Sequence, residues 1–117
     1  MAHRIVYRKY GEPSVLGLEE FEPKEVGPTD VAIDVAFSGI NFGDCIARRG
    51  FYSSAPPPPG CVGFEVSGTV QRVGTRVRGL KRGDRVLAVT RFGGYASVLV
   101  VDAAYVTKLP RDRESVV

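Results

Sequence analysis

The chain has 117 residues, a net charge of +3, 44% hydrophobic residues and 25% charged residues. That length is one domain with room for a core of its own, the composition is ordinary for a soluble globular protein, and the interleaving of acids with bases excludes a nucleic-acid footprint. No signal peptide opens the chain, no apolar run reaches a membrane span, and the two cysteines, Cys45 and Cys61, fit a reducing compartment, so a cytosolic protein is expected.

His3–Tyr10 is rich in β-branched and aromatic residues and reads as a first strand. Gly11-Glu12-Pro13 marks a turn, Val15–Glu22 a second short strand, and Pro23–Asp30 a loop. The clearest alternation follows: Val31, Ile33, Val35 and Phe37 point one way, and Ala32, Asp34, Ala36 and Ser38 the other. From Asn41 to Arg49 the period lengthens. Phe42, Cys45 and Ile46 recur at helical spacing, Asn41 suits an N-cap, and Gly50 suits a left-handed stop. Ala55–Gly60 holds four prolines, which lack the amide hydrogen a central strand needs, so it is an extended surface loop.

Phe64–Val73 alternates again, with Phe64, Val66, Gly68 and Val70 opposite Glu65, Ser67, Thr69 and Gln71. Gly68 on the apolar side predicts a bulge, a sharp bend or the close approach of another backbone. Gly74–Gly79 and Lys81–Arg85 are turns, and the Arg82-Gly83-Asp84 tripeptide falls in the second. Arg72–Arg85 is the densest basic run. Broken by apolar residues and glycines, it reads as solvated strand faces, with phosphate contact as the alternative. Val86–Thr90, Tyr95–Asp102 and Tyr105–Leu109 are strands, the first two joined by the Arg91–Gly94 loop. Many short strands with glycine turns predict a barrel or sandwich. Asp112 suits the cap of a helix that would begin as the chain stops, and a piece of a longer protein is expected.

Several blocks in order carry a family resemblance: Y-G-E-P-S-V-L, S-G-I-N-F-G-D, G-F-Y, P-P-P-P-G-C-V-G-F-E-V-S-G-T-V-Q-R-V-G, L-K-R-G-D-R-V and G-G-Y-A. Across Arg4–Pro110 the chain resembles the medium-chain dehydrogenase/reductase superfamily, in its zinc-independent quinone oxidoreductase branch. The resemblance implies a mainly β fold: a GroES-like, partly open β-barrel with short helices over residues 1–110. Residues 111–117 would then begin the connection to a Rossmann domain that binds NADPH and is missing from this chain.

Related alcohol dehydrogenases hold catalytic zinc with a cysteine after the strand-end glycine and a histidine beside the later glutamate. Those places look like Ile40 and Phe64 here, and Glu65 alone cannot hold a metal that needs three protein ligands. His3 is the one histidine and reads as an ordinary surface residue, so no zinc is expected. Asn41 and Asp44 match the family's N-x-x-D turn. An asparagine both donates to and accepts from a carboxamide such as that of nicotinamide, which makes these two the cofactor-binding candidates. Helix capping alone needs the same residue types. Tyr52, in G-F-Y, takes the place of a tyrosine used as proton donor in enoyl reductases of the superfamily. A phenol is protonated at neutral pH and can act as general acid. The alternative is a loop aromatic packed on Pro56–Pro59. Glu65 either pairs with a cation in the barrel or lines the cleft, and Phe42, Phe64 and Phe92 are candidate cleft walls, with core packing as the other reading of Phe42 and Phe92.

The leading expectation is therefore the catalytic-domain portion of an NADPH-dependent, zinc-independent reductase. Its substrates would be quinones, enones or enoyl thioesters, small molecules all. The alternative is a non-enzymatic GroES-like binding or scaffold module. Exposed strand edges also leave a homodimer open.

Overall fold

The computed structural model describes residues 1–110; the expected cap at Asp112 lies outside the described residues. The elements run β1 (Ala2–Tyr7), β2 (Leu16–Phe21), β3 (Asp30–Ser38), α1 (Phe42–Arg49), β4 (Glu65–Val73), β5 (Arg85–Val89), β6 (Val98–Asp102) and β7 (Val106–Lys108). β1 and β2 form an antiparallel hairpin, and the other strands make one antiparallel sheet in the order β6-β3-β4-β5-β7. The sheet curls around Val31, Ile33, Val66, Val70, Val86, Ala88, Leu99 and Val101. Each of these β-branched or leucine side chains contributes about 1.5–3 kcal/mol when fully buried. The result is the mainly β, partly open GroES-like barrel that the family resemblance implied, one of the two architectures the strand pattern left open. Among the described residues no helix is long and apolar enough to cross a membrane.

The hairpin is tied to the sheet by backbone hydrogen bonds. Ile5 N–H donates to the Tyr95 carbonyl at 2.9 Å, Ser97 N–H to His3 at 2.8 Å, and Tyr7 N–H to Gly60 at 2.9 Å. These bonds explain two shifted boundaries. β6 starts at Val98 and not at Tyr95, because residues 95–97 bond mainly to β1. β1 ends at Tyr7 and not at Tyr10, because the chain then turns and Arg8 N–H reaches back to Val15 O at 3.1 Å. The proline loop lies over the same corner, where the Pro56 carbonyl accepts the hydroxyl of the fully buried Tyr7.

The expected alternation of β3 holds for Val31, Ile33 and Val35, which packs against the core between the exposed Asp34 and Ala36, but fails at two positions. Ala32 is buried, and Phe37 is 76% exposed. The pairing with β4 slips between Ala32 and Ile33 and again between Val35 and Phe37. The first slip places its extra residue, Gln71, on β4 and leaves the facing of β3 unchanged, whereas the second places Ala36 as an extra residue on β3 and turns Phe37 outward. The second lies opposite Gly68, where a Cβ would stand 2.0 Å from the Asp34 carbonyl oxygen. The glycine thus marks both a bulge and a close backbone approach.

Arg82-Gly83-Asp84 is a turn, as expected, and Asp84 is buried within it. Its carboxylate accepts Lys81 N–H at 2.9 Å and lies 2.9 Å from Lys81 Nζ and 3.6 Å from Lys108 Nζ. The hydrogen bond from the Lys81 side chain, followed by the one from its backbone, holds this carboxyl below its ordinary range.

Candidate functional site

The site is built on the start of α1. Asn41 is extended (φ −120°, ψ 156°) and Gly50 at the far end is left-handed (φ 89°), so cap and stop stand where the local sequence put them. Asn41 and Asp44 form a capping box, with Asp44 Oδ2 accepting the Asn41 N–H at 3.0 Å. The helix turns Asp44 and Ala47 inward. That corrects the expected apolar face of Phe42, Cys45 and Ile46: Phe42 is 80% exposed.

Asp44 goes inward because three donors meet there. Besides Asn41, its Oδ1 accepts Gly63 N–H at 3.1 Å and its Oδ2 accepts the Tyr95 hydroxyl at 2.5 Å. One carboxylate, 4% exposed, therefore joins the helix start, the Cys61–Gly63 segment and the Tyr95 hairpin. Burial, and then the bond to Asp44, push the Tyr95 phenol well above its usual range and keep it a donor. Gly63 has φ +112°, and a Cβ there would be 2.8 Å from both the Tyr95 ring and its backbone nitrogen. Only glycine fits this crossing. Ser38 closes the corner, its hydroxyl donating to the Gly94 carbonyl at 2.6 Å.

Beside this hub lies an aromatic triangle. The Tyr52 ring is 5.8 Å from Phe92, edge-on, and 6.1 Å from Phe64, and Phe64 is 5.3 Å from Phe92. Tyr52 thus packs on two phenylalanines. Each such pair adds about 0.5–1.5 kcal/mol beyond area burial. Phe64 and Phe92 are half-buried, while Tyr52 is 36% exposed. Gly43 opens onto the triangle: a Cβ there would meet Phe64 at 3.2 Å and Tyr52 at 3.4 Å. Gly43, between the capping residues Asn41 and Asp44, is therefore packed directly against the cluster of Tyr52, Phe64 and Phe92. Thr90 braces the wall, its N–H bonded to Phe64 O and its hydroxyl to Phe92 O, both at 2.8 Å.

Glu65 lies over Gly39, where a Cβ would be 2.2 Å from its Oε1, and it forms no ion pair among the described residues. Of its two expected roles, pairing in the barrel is not seen. Phe42 stands in solvent next to Asn41, with Phe37, Ile40 and Phe51 also exposed. Cys61 is buried, which raises its thiol. Among the described residues no three of His, Cys, Asp and Glu stand close enough to hold a metal. Gly63 and Tyr95 are the functional neighbours that sequence reasoning missed. Only the G-G-Y-A block hinted at Tyr95, and nothing local linked it to Asp44.

Residues 27–111 match the alcohol dehydrogenase GroES-like domain family. Quinone oxidoreductase-like protein 2 of Mus musculus is 40% identical over 97 residues, which are 83% of this chain and 28% of the mouse protein. The crystal structure of a quinone oxidoreductase from Pseudomonas syringae superposes with a TM-score of 0.87 at 39% identity, covering 96% of this chain and 34% of the other. Escherichia coli quinone oxidoreductase complexed with NADPH superposes at 0.85 with 36% identity, covering 92% and 33%. The chain thus spans about a third of the length of these relatives. It belongs to the alcohol dehydrogenase GroES-like domain family, among the quinone oxidoreductase-like members of the medium-chain dehydrogenase/reductase superfamily.

Proposed function

We propose that this chain is the catalytic-domain part, residues 1–110, of a cytosolic NADPH-dependent oxidoreductase that reduces quinones, enones or enoyl thioesters without zinc. The observation that carries the reading is the cluster of Tyr52, Phe64 and Phe92 packed against Gly43 at the start of α1, where Asn41 and the buried Asp44 form the capping box. The NADPH complex of the E. coli relative supports the choice of cofactor.

The aromatic faces of the cluster suit a flat ring. NADPH, when bound, supplies the hydride. Asn41 offers a carboxamide that both donates and accepts, matched to the nicotinamide's own. Asp44 has its oxygens occupied by Asn41, Gly63 and Tyr95, so its part is to hold Asn41 and the glycine segment in place. Tyr52 delivers a proton to the substrate carbon next to the site of reduction. Phe64 and Phe92 wall the substrate, with Glu65 and Phe42 at the rim. The exposed Phe37, Ile40 and Phe51 belong to the face that a cofactor domain, reached through residues 111–117, would cover.

The test is turnover of a small panel of quinones and enones by the protein that joins this chain to its cofactor half, with NADPH as donor. Steady NADPH oxidation that depends on the acceptor is the expected result. No turnover of any acceptor, with NADPH bound, would reject the enzyme in favour of a binding module.

A further inference from the structure

The positive charge of this chain sits at one end of the barrel. Between Arg72 and Arg85 stand Arg72, Arg76, Arg78, Lys81, Arg82 and Arg85 against one acid, Asp84, a net of +5. The whole chain carries +3, so everything outside that segment carries −2. Asp84 does not dilute the surface, because it is buried and occupied by Lys81 and Lys108. The five arginines are all exposed, and among the described residues none is in an ion pair. Elsewhere Arg4, Lys24 and Arg49 each have a carboxylate partner.

The shape of this end narrows the partner. It is made of the turns between β4 and β5, where Gly79 and Gly83 are left-handed and a Cβ at either would meet nothing within 4 Å. These turn tips stand clear of neighbouring atoms, so the guanidiniums around them are open to an extended surface. No aromatic residue lies between Arg72 and Val89, so bases would have nothing to stack on. Val77 and Leu80 pack onto the barrel core, which leaves no apolar anchor for a protein interface. The aromatic cluster at Phe64 is at the other end of β4, roughly 23 Å away at about 3.3 Å per residue, so the arginines do not reach the candidate site.

We propose that the β4–β5 end is a docking face for an anionic lipid surface. A diffuse array of headgroup phosphates suits several unpaired guanidiniums around exposed turns, each of which raises partitioning about fivefold. This inference is independent of the oxidoreductase reading.

Sedimentation of the 117-residue chain with vesicles tests it. Phosphatidylcholine vesicles containing about 30% phosphatidylserine should carry the chain down at about 0.05 M salt, release it at about 0.5 M, and pure phosphatidylcholine should not bind it. Arg76→Gln/Arg82→Gln should lower partitioning about 20-fold. Arg76→Lys/Arg82→Lys should keep it, and both variants are checked for folding by circular dichroism. Lys9→Gln/Arg91→Gln removes the same charge elsewhere and should change binding less than about threefold. The proposal fails if the anionic vesicles leave the chain in solution, or if the Lys9/Arg91 variant loses as much as the Arg76/Arg82 variant. It also fails if inorganic phosphate at about 10 mM displaces the vesicles, which would mean a discrete phosphate site. Tighter binding to a single-stranded oligonucleotide than to the vesicles would likewise overturn it.

Discussion

Asp44→Ala removes one side chain and strands three donors. The lost bonds are those from Asn41 N–H at 3.0 Å, Gly63 N–H at 3.1 Å and the Tyr95 hydroxyl at 2.5 Å. A hydrogen bond to a charged group is worth about 1.5–3 kcal/mol, and leaving its partner buried and unpaired costs about 1–3. Asn41 and Tyr95 are half-buried and recover part of this from water, whereas Gly63 is buried and does not. The expected loss is about 3–5 kcal/mol, a large part of the roughly 5–15 kcal/mol that holds a domain together. Tyr95→Phe deletes one donor and should cost about 1.5–2 kcal/mol. In the Asp44→Ala background the same change should cost much less, because the bond is already gone, giving a coupling of about 1–2 kcal/mol. Urea unfolding of the four proteins, followed by circular dichroism, measures the cycle. If Asp44→Ala unfolds within about 1 kcal/mol of wild type, or the two changes simply add, the carboxylate is not the hub described here.

Gly68→Ala would place a Cβ 2.0 Å from the Asp34 carbonyl, and backbone cannot yield as a side chain can. A loss of about 3 kcal/mol or more is expected in the same urea assay. Asp84 carries a folded pKa below the free carboxylate value of about 3.9, so its ionised form stabilises the fold above that pH and the contribution disappears as pH falls through the lower folded value. Asp84→Asn should therefore melt below wild type at neutral pH, with the gap closing below about pH 4 in calorimetric scans. Tyr52→Phe in the enzyme with its cofactor half should cut enone turnover about 10²–10⁴-fold and spare quinones, which water can protonate. Enone rates within about threefold of wild type would make Tyr52 a wall residue only. Metal analysis of protein purified without chelator should find no stoichiometric zinc; zinc that survives dialysis would contradict the ligand count around Glu65.

Local chemistry was legible in the chain because it acts over a few residues. A strand period of two, an asparagine that caps, a glycine that stops a helix and a glycine between two crowded backbones all leave marks within one turn or one pleat. These marks were enough to place β3, α1 and β4, to single out Gly68 as a bulge, a bend or a close backbone approach, and to bring Asn41 and Asp44 together. The facing of side chains was different. The slip in the β3–β4 pairing between Val35 and Phe37 turned Phe37 outward, and no count along β3 alone contains it. The demand of three converging donors, not apolar spacing, turned Asp44 inward and left Phe42 in solvent. Tyr95 lies 51 residues from Asp44, and Tyr52, Phe64 and Phe92 come from three separate segments. Their meeting depends on how a curled sheet, a hairpin and a proline loop close on one another, and the energy of such a contact depends on distance in space, to which the order of residues along the chain is blind.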